Sequence, residues 1–196
     1  MNLQLVPLDC PTCGSAMRGD PWDVLFFCSH CGAAALLGSD GLEPVVSTAL
    51  LPAPGRLARV WHPAWVLDAR VEVRDRTVAG GGRPTGWTDR RRFVIPAFEL
   101  SLSDRVRLAR GLTTAAPEAG EVPREPVRGG TLRLDDARVV AQHLVVGDEV
   151  RRPDMLSSLT VSIDVERHRL AAIPFESLDD RLRCAVTGIE VRMVGD

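Results

Sequence analysis

The sequence predicts an α+β fold, in which a small N-terminal module held by cysteines precedes a mainly antiparallel sheet domain with two short helices. Three observations support this prediction. Two C-x-x-C-G pairs stand near the N-terminus, at Cys10 and Cys13 and at Cys28 and Cys31. Several later segments alternate apolar and polar residues with a period of two, which is typical of half-buried strands. Two further segments have the apolar spacing of amphipathic helices.

The two cysteine pairs form the pattern of a zinc ribbon over residues 1–42. Two cysteines separated by two residues can turn both sulfurs to one side of a tight turn and bind one metal ion. Gly14 and Gly32 follow the pairs and can adopt the positive φ that closes such a turn. Four thiolates favour one tetrahedral Zn²⁺ in a closed structural site, which stabilises a module too small for a large core. The predicted ligands are Cys10, Cys13, Cys28 and Cys31.

Two other chemistries also fit four cysteines. A disulfide framework would use the same residues, but the N-terminus lacks the pattern of a secretory signal, and we therefore expect reduced thiols. A rubredoxin-like iron site uses similar turns and stays open as an alternative. His30 lies inside the second pair, but Cys31 already completes that pair, so we interpret His30 as an exposed residue of the turn.

The composition is that of a soluble globular protein, with 45% hydrophobic and 26% charged residues in a chain of 196. This length accommodates the ribbon and one further domain of about 150 residues. The formal net charge of -2 gives no overall field that would attract nucleic acid or an anionic membrane. No apolar run approaches the ~18 residues of a membrane span, so we expect a cytoplasmic protein.

Proline-rich residues 43–56 are predicted to link the ribbon to an α+β domain over residues 57–196, with a possible short strand at 45–51. Residues 57–73 predict a strand, because the odd positions from Trp65 onward are apolar and most even positions are charged.

The next predicted elements are a hairpin and two helices. Residues 80–82 are three glycines that predict the hairpin tip before a strand at 91–95. The first helix is predicted to begin at an N-cap near Ser103 and to end at Gly111. Asp135 or Asp136 is predicted to cap the second helix.

Residues 115–130 are predicted as a loop, because they are rich in proline, glutamate and glycine. The second helix is predicted over residues 137–146, and the C-terminal third is predicted to form antiparallel strands. These strands are expected at 159–165, 170–175, 181–185 and 189–194, with a turn at 166–169 between the first two.

We find no catalytic signature of a nucleophile elbow, zinc protease, phosphate loop or dinucleotide-binding fold, and therefore expect a protein that is not an enzyme. The alternative is an enzyme with an active site near Trp61, His62 and Trp65. This alternative would gain support if His62 lay buried beside a carboxylate in a pocket, and the absence of a concave site there would exclude it.

Aromatic and basic residues supply the candidate partner-binding site. Tryptophan and arginine are enriched at interface hot spots, although tryptophans in a strand more often form the core of a sheet. A run of three arginines can contact nucleic-acid phosphates or form a solvated strand end. The candidate residues are Trp61, Trp65, Trp87, Arg90, Arg91 and Arg92.

The cysteine pattern over residues 10–38 resembles the zinc ribbons of transcription, translation, replication and adaptor proteins. Residues 94–98, 108–113 and 173–175, with Thr187-Gly188, resemble a family of uncharacterised bacterial zinc-ribbon proteins. This resemblance implies that the four cysteines bind metal and implies little else.

The leading hypothesis is a non-enzymatic, cytoplasmic zinc-ribbon adaptor or subunit of a larger protein assembly. The alternative is nucleic-acid binding through the ribbon and the arginines at 90–92.

Overall fold

The computed structural model describes residues 7–193, which form two sheets and two helices. The first sheet is antiparallel and three-stranded, in the order β1-β2-β3. Its strands are β1 (Leu25–Phe27), β2 (Ala34–Leu37) and β3 (Leu42–Val45). A small core of Cys10, Met17, Phe26, Cys28 and Ala35 holds this ribbon-like region together.

The second sheet has seven strands and is built around two long ones. β5 (Val60–Val78) pairs with β6 (Thr85–Pro96) on one side and with β8 (Leu156–Leu178) on the other, and both pairings are antiparallel. β4 (Ser47–Leu50) pairs with β8 in the parallel direction. The remaining strands are β7 (Ala119–Gly120), β9 (Arg181–Cys184) and β10 (Glu190–Val191). With two helices, this mostly antiparallel structure is a mixed α+β fold.

Side-chain alternation along β5 divides the interior into two clusters. The odd-numbered residues, such as Trp65 and Leu67, join a cluster that includes Val140 of the second helix. The even-numbered Val66 joins a cluster with Leu112 of the first helix. Beyond Leu67 the even positions become charged, so this face of the sheet is polar there.

The ribbon packs directly on the sheet domain. Leu25, Phe27 and Ala34 belong to the same buried cluster as the central strands. The Leu25 amide donates to the Gly130 carbonyl at 2.9 Å, and the Gly130 amide donates back at 3.0 Å. A Cβ at Gly130 would lie 2.7 Å from Pro63, so glycine permits this close approach. The ribbon and the sheet domain therefore share one core.

The segment predicted as a linker, residues 43–56, contains most of β3 and all of β4. β4 joins the second sheet, as Ser47 lies opposite Leu170 of β8. The prolines on either side of β4 confine it to four residues.

Both helices are longer than predicted. α1 spans Leu102–Ala115 and is capped by Ser101, whose hydroxyl accepts from the Asp104 amide, so the prediction of Ser103 as the cap was wrong. The helix continues through Gly111, and a Cβ at this position would lie against the Ile189 side chain.

α2 spans Leu134–Val150 and begins after Arg133, which makes no side-chain capping bond. The predicted caps Asp135 and Asp136 lie in the first turn instead, where their charges favour the helix N-terminus.

The turn predicted at residues 166–169 is absent, since β8 runs as one strand of 23 residues. Asp68 lies opposite Arg167 and Ala69 lies opposite Val165, which leaves Glu166 as an extra residue. Such a β-bulge bends a strand without ending it. Consecutive charged residues are tolerated here because one sheet face and one strand edge are solvated.

A buried ionic cluster ties α2 to the far end of β5. The Arg76 Nε donates to Glu149 at 2.6 Å, and its terminal nitrogens donate to Asp154 at 2.5 and 2.7 Å. The Trp87 Nε1 donates to the other Glu149 oxygen at 3.0 Å, and Arg152 pairs with the same carboxylate at 2.8 Å. Arg76 follows an irregularity in the pairing of β5 with β6, which begins after Val73.

No helix within residues 7–193 combines the length and the apolar character that crossing a bilayer requires.

Candidate metal centre

Each cysteine pair lies in a tight turn, and the two turns have the same hydrogen bonds. The Gly14 amide donates to the Cys10 carbonyl at 2.8 Å, and the Gly32 amide donates to the Cys28 carbonyl at the same distance. The two glycines have φ of +72° and +74°, values that favour glycine over other residues. The predicted reason for a glycine after each pair is therefore confirmed.

The turns bring the four sulfurs together. All four Sγ atoms lie within 4.8 Å of one another, with Cys10 3.7 Å from Cys31 and Cys13 3.6 Å from Cys28. A tetrahedral ion with metal–sulfur bonds of about 2.3 Å separates its ligands by about 3.8 Å, so these spacings fit a single ion. The four cysteines can therefore bind a metal ion together.

One half of the centre is buried and the other half is exposed. Cys10 and Cys28 lie in the small ribbon core, whereas Cys13 and Cys31 face solvent. His30 is also exposed and lies outside the clustered ligand set, as the sequence predicted.

The protonation of the exposed thiols depends on their surroundings. Hydrogen bonds from Ser15 lower the pKa of Cys13 to about 6. The Ala33 amide lowers the pKa of Cys31, but desolvation and the neighbouring thiols outweigh it and raise that pKa to about 12. A metal ion must displace the remaining protons, so acid favours the metal-free centre.

Trp22 is the most exposed large apolar side chain of the described residues, at 81%. It lies in a β-turn closed by a bond from the Asp23 amide to the Asp20 carbonyl at 3.0 Å. The Asp20 amide donates to the Asp23 carboxylate at 2.7 Å, and this carboxylate is buried against Gly129. The turn therefore holds Trp22 outward from the ribbon.

Trp22 is not among the partner-binding candidates predicted from the sequence, which include the three other tryptophans. The available signal was an aromatic residue inside a Gly-Asp-Pro turn, where solvent exposure is the rule.

The three predicted tryptophans do not line an exposed groove. Trp65 is fully buried, and its Nε1 donates to the Leu132 carbonyl at 2.9 Å, so it is unavailable to a partner. The prediction of Trp65 as a partner-binding residue was therefore wrong, because the odd-numbered side chains of β5 face the core. Trp61 is half-buried, and Trp87 is half-buried and bonded to Glu149.

The three arginines point to different faces of the sheet. Arg91 lies on the α2 side, with its guanidinium carbon 4.6 Å from the centre of a Trp87 ring. Arg90 and Arg92 lie on the opposite face, where they pair with Glu166 at 3.3 Å and with Asp68 at 2.6 Å. Period-two alternation separates these neighbours, so they do not form one basic surface.

His62 is 1% exposed and lies between Phe98 and Phe175, with ring centres 4.3 and 5.5 Å away. Neither ring nitrogen has a hydrogen-bond partner in the described part of the chain. His62 is buried, but the carboxylate that would have supported an enzyme site is not bonded to it. The expectation that the protein is not an enzyme stays a prediction.

The burial of His62 predicts acid-sensitive folding. Desolvation, with a contribution from Arg128, lowers its pKa from 6.5 to about 3. The unfolded chain therefore gains a proton below about pH 6.5, while the folded chain does not do so until about pH 3. Within this window we expect stability to fall by about 1.4 kcal/mol per pH unit from this residue.

Urea denaturation of the wild type and of His62→Phe at several pH values measures this effect. The difference between the two free-energy curves isolates His62, because carboxylate titration and metal loss affect both proteins alike. Parallel curves between pH 6.5 and 4 would contradict the prediction.

No family model, curated protein or solved structure matches this chain. The resemblance to bacterial zinc-ribbon proteins therefore rests on the clustered cysteines and on the short segments noted above.

Proposed function

We propose that this protein is a cytoplasmic adaptor or subunit of a larger protein assembly, with one structural Zn²⁺ in its ribbon. The four-sulfur donor set favours zinc over harder divalent ions, which prefer oxygen ligands. Four protein ligands complete a tetrahedral ion and leave no position for a substrate. The role of the metal is therefore to stabilise the ribbon.

The exposure of Trp22 carries the proposal of a protein partner. Tryptophan is the residue type most enriched at binding hot spots, and an exposed one can bury a large apolar area in a partner's pocket. The clamped turn from Asp20 to Asp23 orders the backbone before binding, which reduces the entropy lost on association. Burial of Asp23 raises the pKa of its carboxyl by desolvation. Holding this turn closed therefore costs free energy, because the charged carboxylate is removed from water.

The basic residues support the nucleic-acid alternative less well. Arg90 and Arg92 pair with acidic side chains of the same sheet, and Arg91 lies on the opposite face. Ion-paired arginines release fewer counterions from a phosphate backbone, which weakens non-specific binding.

Trp22→Ala is expected to remove the main protein partner from a native pull-down while leaving the fold and the metal content unchanged. Leu57→Ala is the matched control, because Leu57 is also an exposed apolar residue, at 67%, but lies outside the ribbon. Mass spectrometry of the co-purifying material and of the bound metal measures both results.

The proposal fails if the wild-type protein is strictly monomeric and captures nothing, or if Trp22→Ala keeps every partner. Co-purifying nucleic acid whose binding falls steeply with salt would favour the alternative function.

A further inference from the structure

A pocket of about 290 Å³ lies beside the polar face of the second sheet, away from the metal centre. β4, the C-terminal end of α1 and the segment that follows it form its walls. Its floor is apolar, since Leu50, Val66 and Val94 line it and all three are buried. A ligand with a hydrocarbon part would therefore lose contact with water on entering.

Two arginines from different strands also line this pocket. Arg92 of β6 and Arg169 of β8 share a single carboxylate, with Asp68 2.6 Å from one guanidinium and 3.3 Å from the other. Their charges, Arg92 first, hold the pKa of Asp68 below its ordinary value. Two cations and one anion leave one positive charge on this triad. Glu118, an exposed acidic residue, also lines the pocket but pairs with neither arginine.

The two guanidiniums keep most of their hydrogen-bond donors. Each of them bonds to Asp68 through one nitrogen, Nε of Arg92 and Nη1 of Arg169, and a guanidinium has five N–H groups. The wall hydroxyls each make one bond, since Thr48 donates to the Gly120 carbonyl and Thr113 accepts from the Val94 amide, so the Thr113 hydroxyl keeps its own donor.

We propose that this pocket binds a small organic monocarboxylate with a short apolar tail. The planar guanidinium fork suits a carboxylate, whose single charge would balance the triad. The apolar floor suits the tail, and an inorganic anion would leave that floor uncovered. The volume is near the lower end of ligand pockets, which limits the occupant to a small molecule.

Hexanoate binding to the full-length protein tests this proposal by isothermal titration calorimetry. We expect saturable binding with a Kd on the order of 0.1–1 mM, the range that a ligand of this size can reach. Hexanol, with the same tail and no charge, and inorganic phosphate, with charge and no tail, are each expected to bind at least about tenfold more weakly.

Two variants locate the binding. Arg169→Gln removes one of the two cations of the pocket, and Ala119→Phe narrows the pocket from its exposed rim while both arginines are retained. Both are expected to weaken hexanoate binding by about tenfold or more, the loss of one charge-assisted contact. Arg90→Gln is the control, because Arg90 lies on the same sheet face outside this pocket and pairs with Glu166.

The proposal is overturned if hexanoate shows no saturable binding, if phosphate binds equally well, or if Arg90→Gln weakens binding as much as Arg169→Gln. Thermal melts of each variant verify that it is folded, and if Arg169→Gln is unfolded, Ala119→Phe provides the test. None of these outcomes depends on Trp22 or on a protein partner.

Discussion

Replacement of Cys28 and Cys31 by serine is expected to abolish metal binding and to destabilise the whole protein. These residues flank the turn between β1 and β2, whose Leu25 and Phe27 lie in the main buried cluster. Exposing two such side chains costs about 1.5–3 kcal/mol each. At ~2–4 °C per kcal/mol for a chain of this size, the melting temperature falls by about 10 °C.

Metal analysis by mass spectrometry and calorimetric melting measure the two effects in the same samples. Cys184→Ala is the control, because Cys184 is fully buried but lies outside the metal cluster, and this variant should retain its metal ion. A serine variant that loses its metal yet melts like the wild type would contradict a core shared by the ribbon and the sheet domain. Removal of the metal from the wild type by a chelator should lower the melting temperature in the same way.

Replacement of Glu149 by alanine is expected to lower the free energy of unfolding by about 3 kcal/mol, since it leaves a buried cation with one partner fewer. Glu149 is 1% exposed and is bonded to Arg76, Arg152 and the Trp87 indole. In this variant Arg76 still pairs with Asp154. The expected loss of unfolding free energy is therefore at the lower end of the range for breaking a buried ion pair.

Urea denaturation at pH 7, followed by circular dichroism, measures this loss. Asp135→Ala is the matched control on the same helix, because the Asp135 side chain is 90% exposed and lies 3.9 Å from Arg138. We expect that control to stay within about 0.5 kcal/mol of the wild type. If Glu149→Ala and Asp135→Ala lowered the free energy of unfolding equally, the prediction that the buried ionic cluster stabilises the fold would be wrong.

The metal centre could be predicted from the sequence because all of its determinants are local. Two cysteines and a glycine within five residues define each turn, and the apolar runs after residues 23 and 32 define β1 and β2. The alternation from Trp65 onward likewise predicted the core face of β5. Such patterns depend on neighbours in the chain and not on distant partners.

The features that could not be predicted depend on distant partners. β4 lies within the possible short strand at residues 45–51, but its parallel pairing with β8, far away in the chain, could not be predicted from its proline-rich surroundings. The charged residues at 166–169 predicted a turn, yet β5 on one side and solvent on the other keep them extended. The partner-binding assignment of Trp65 failed for the opposite reason, because a local pattern that already marked the core face of β5 was given less weight than residue type.

The shared core also affects how this chain is made. The ribbon is complete by β3, but Gly130 and β8, which cover it and complete the sheet, are synthesised far later. Chains are synthesised at about 5–20 residues per second, so Leu25 and Phe27 remain without their packing partners for on the order of ten seconds. During this interval, exposed apolar strands can bind chaperones or aggregate. A metal ion bound early by the cysteines would order the nascent N-terminal region and reduce this exposure.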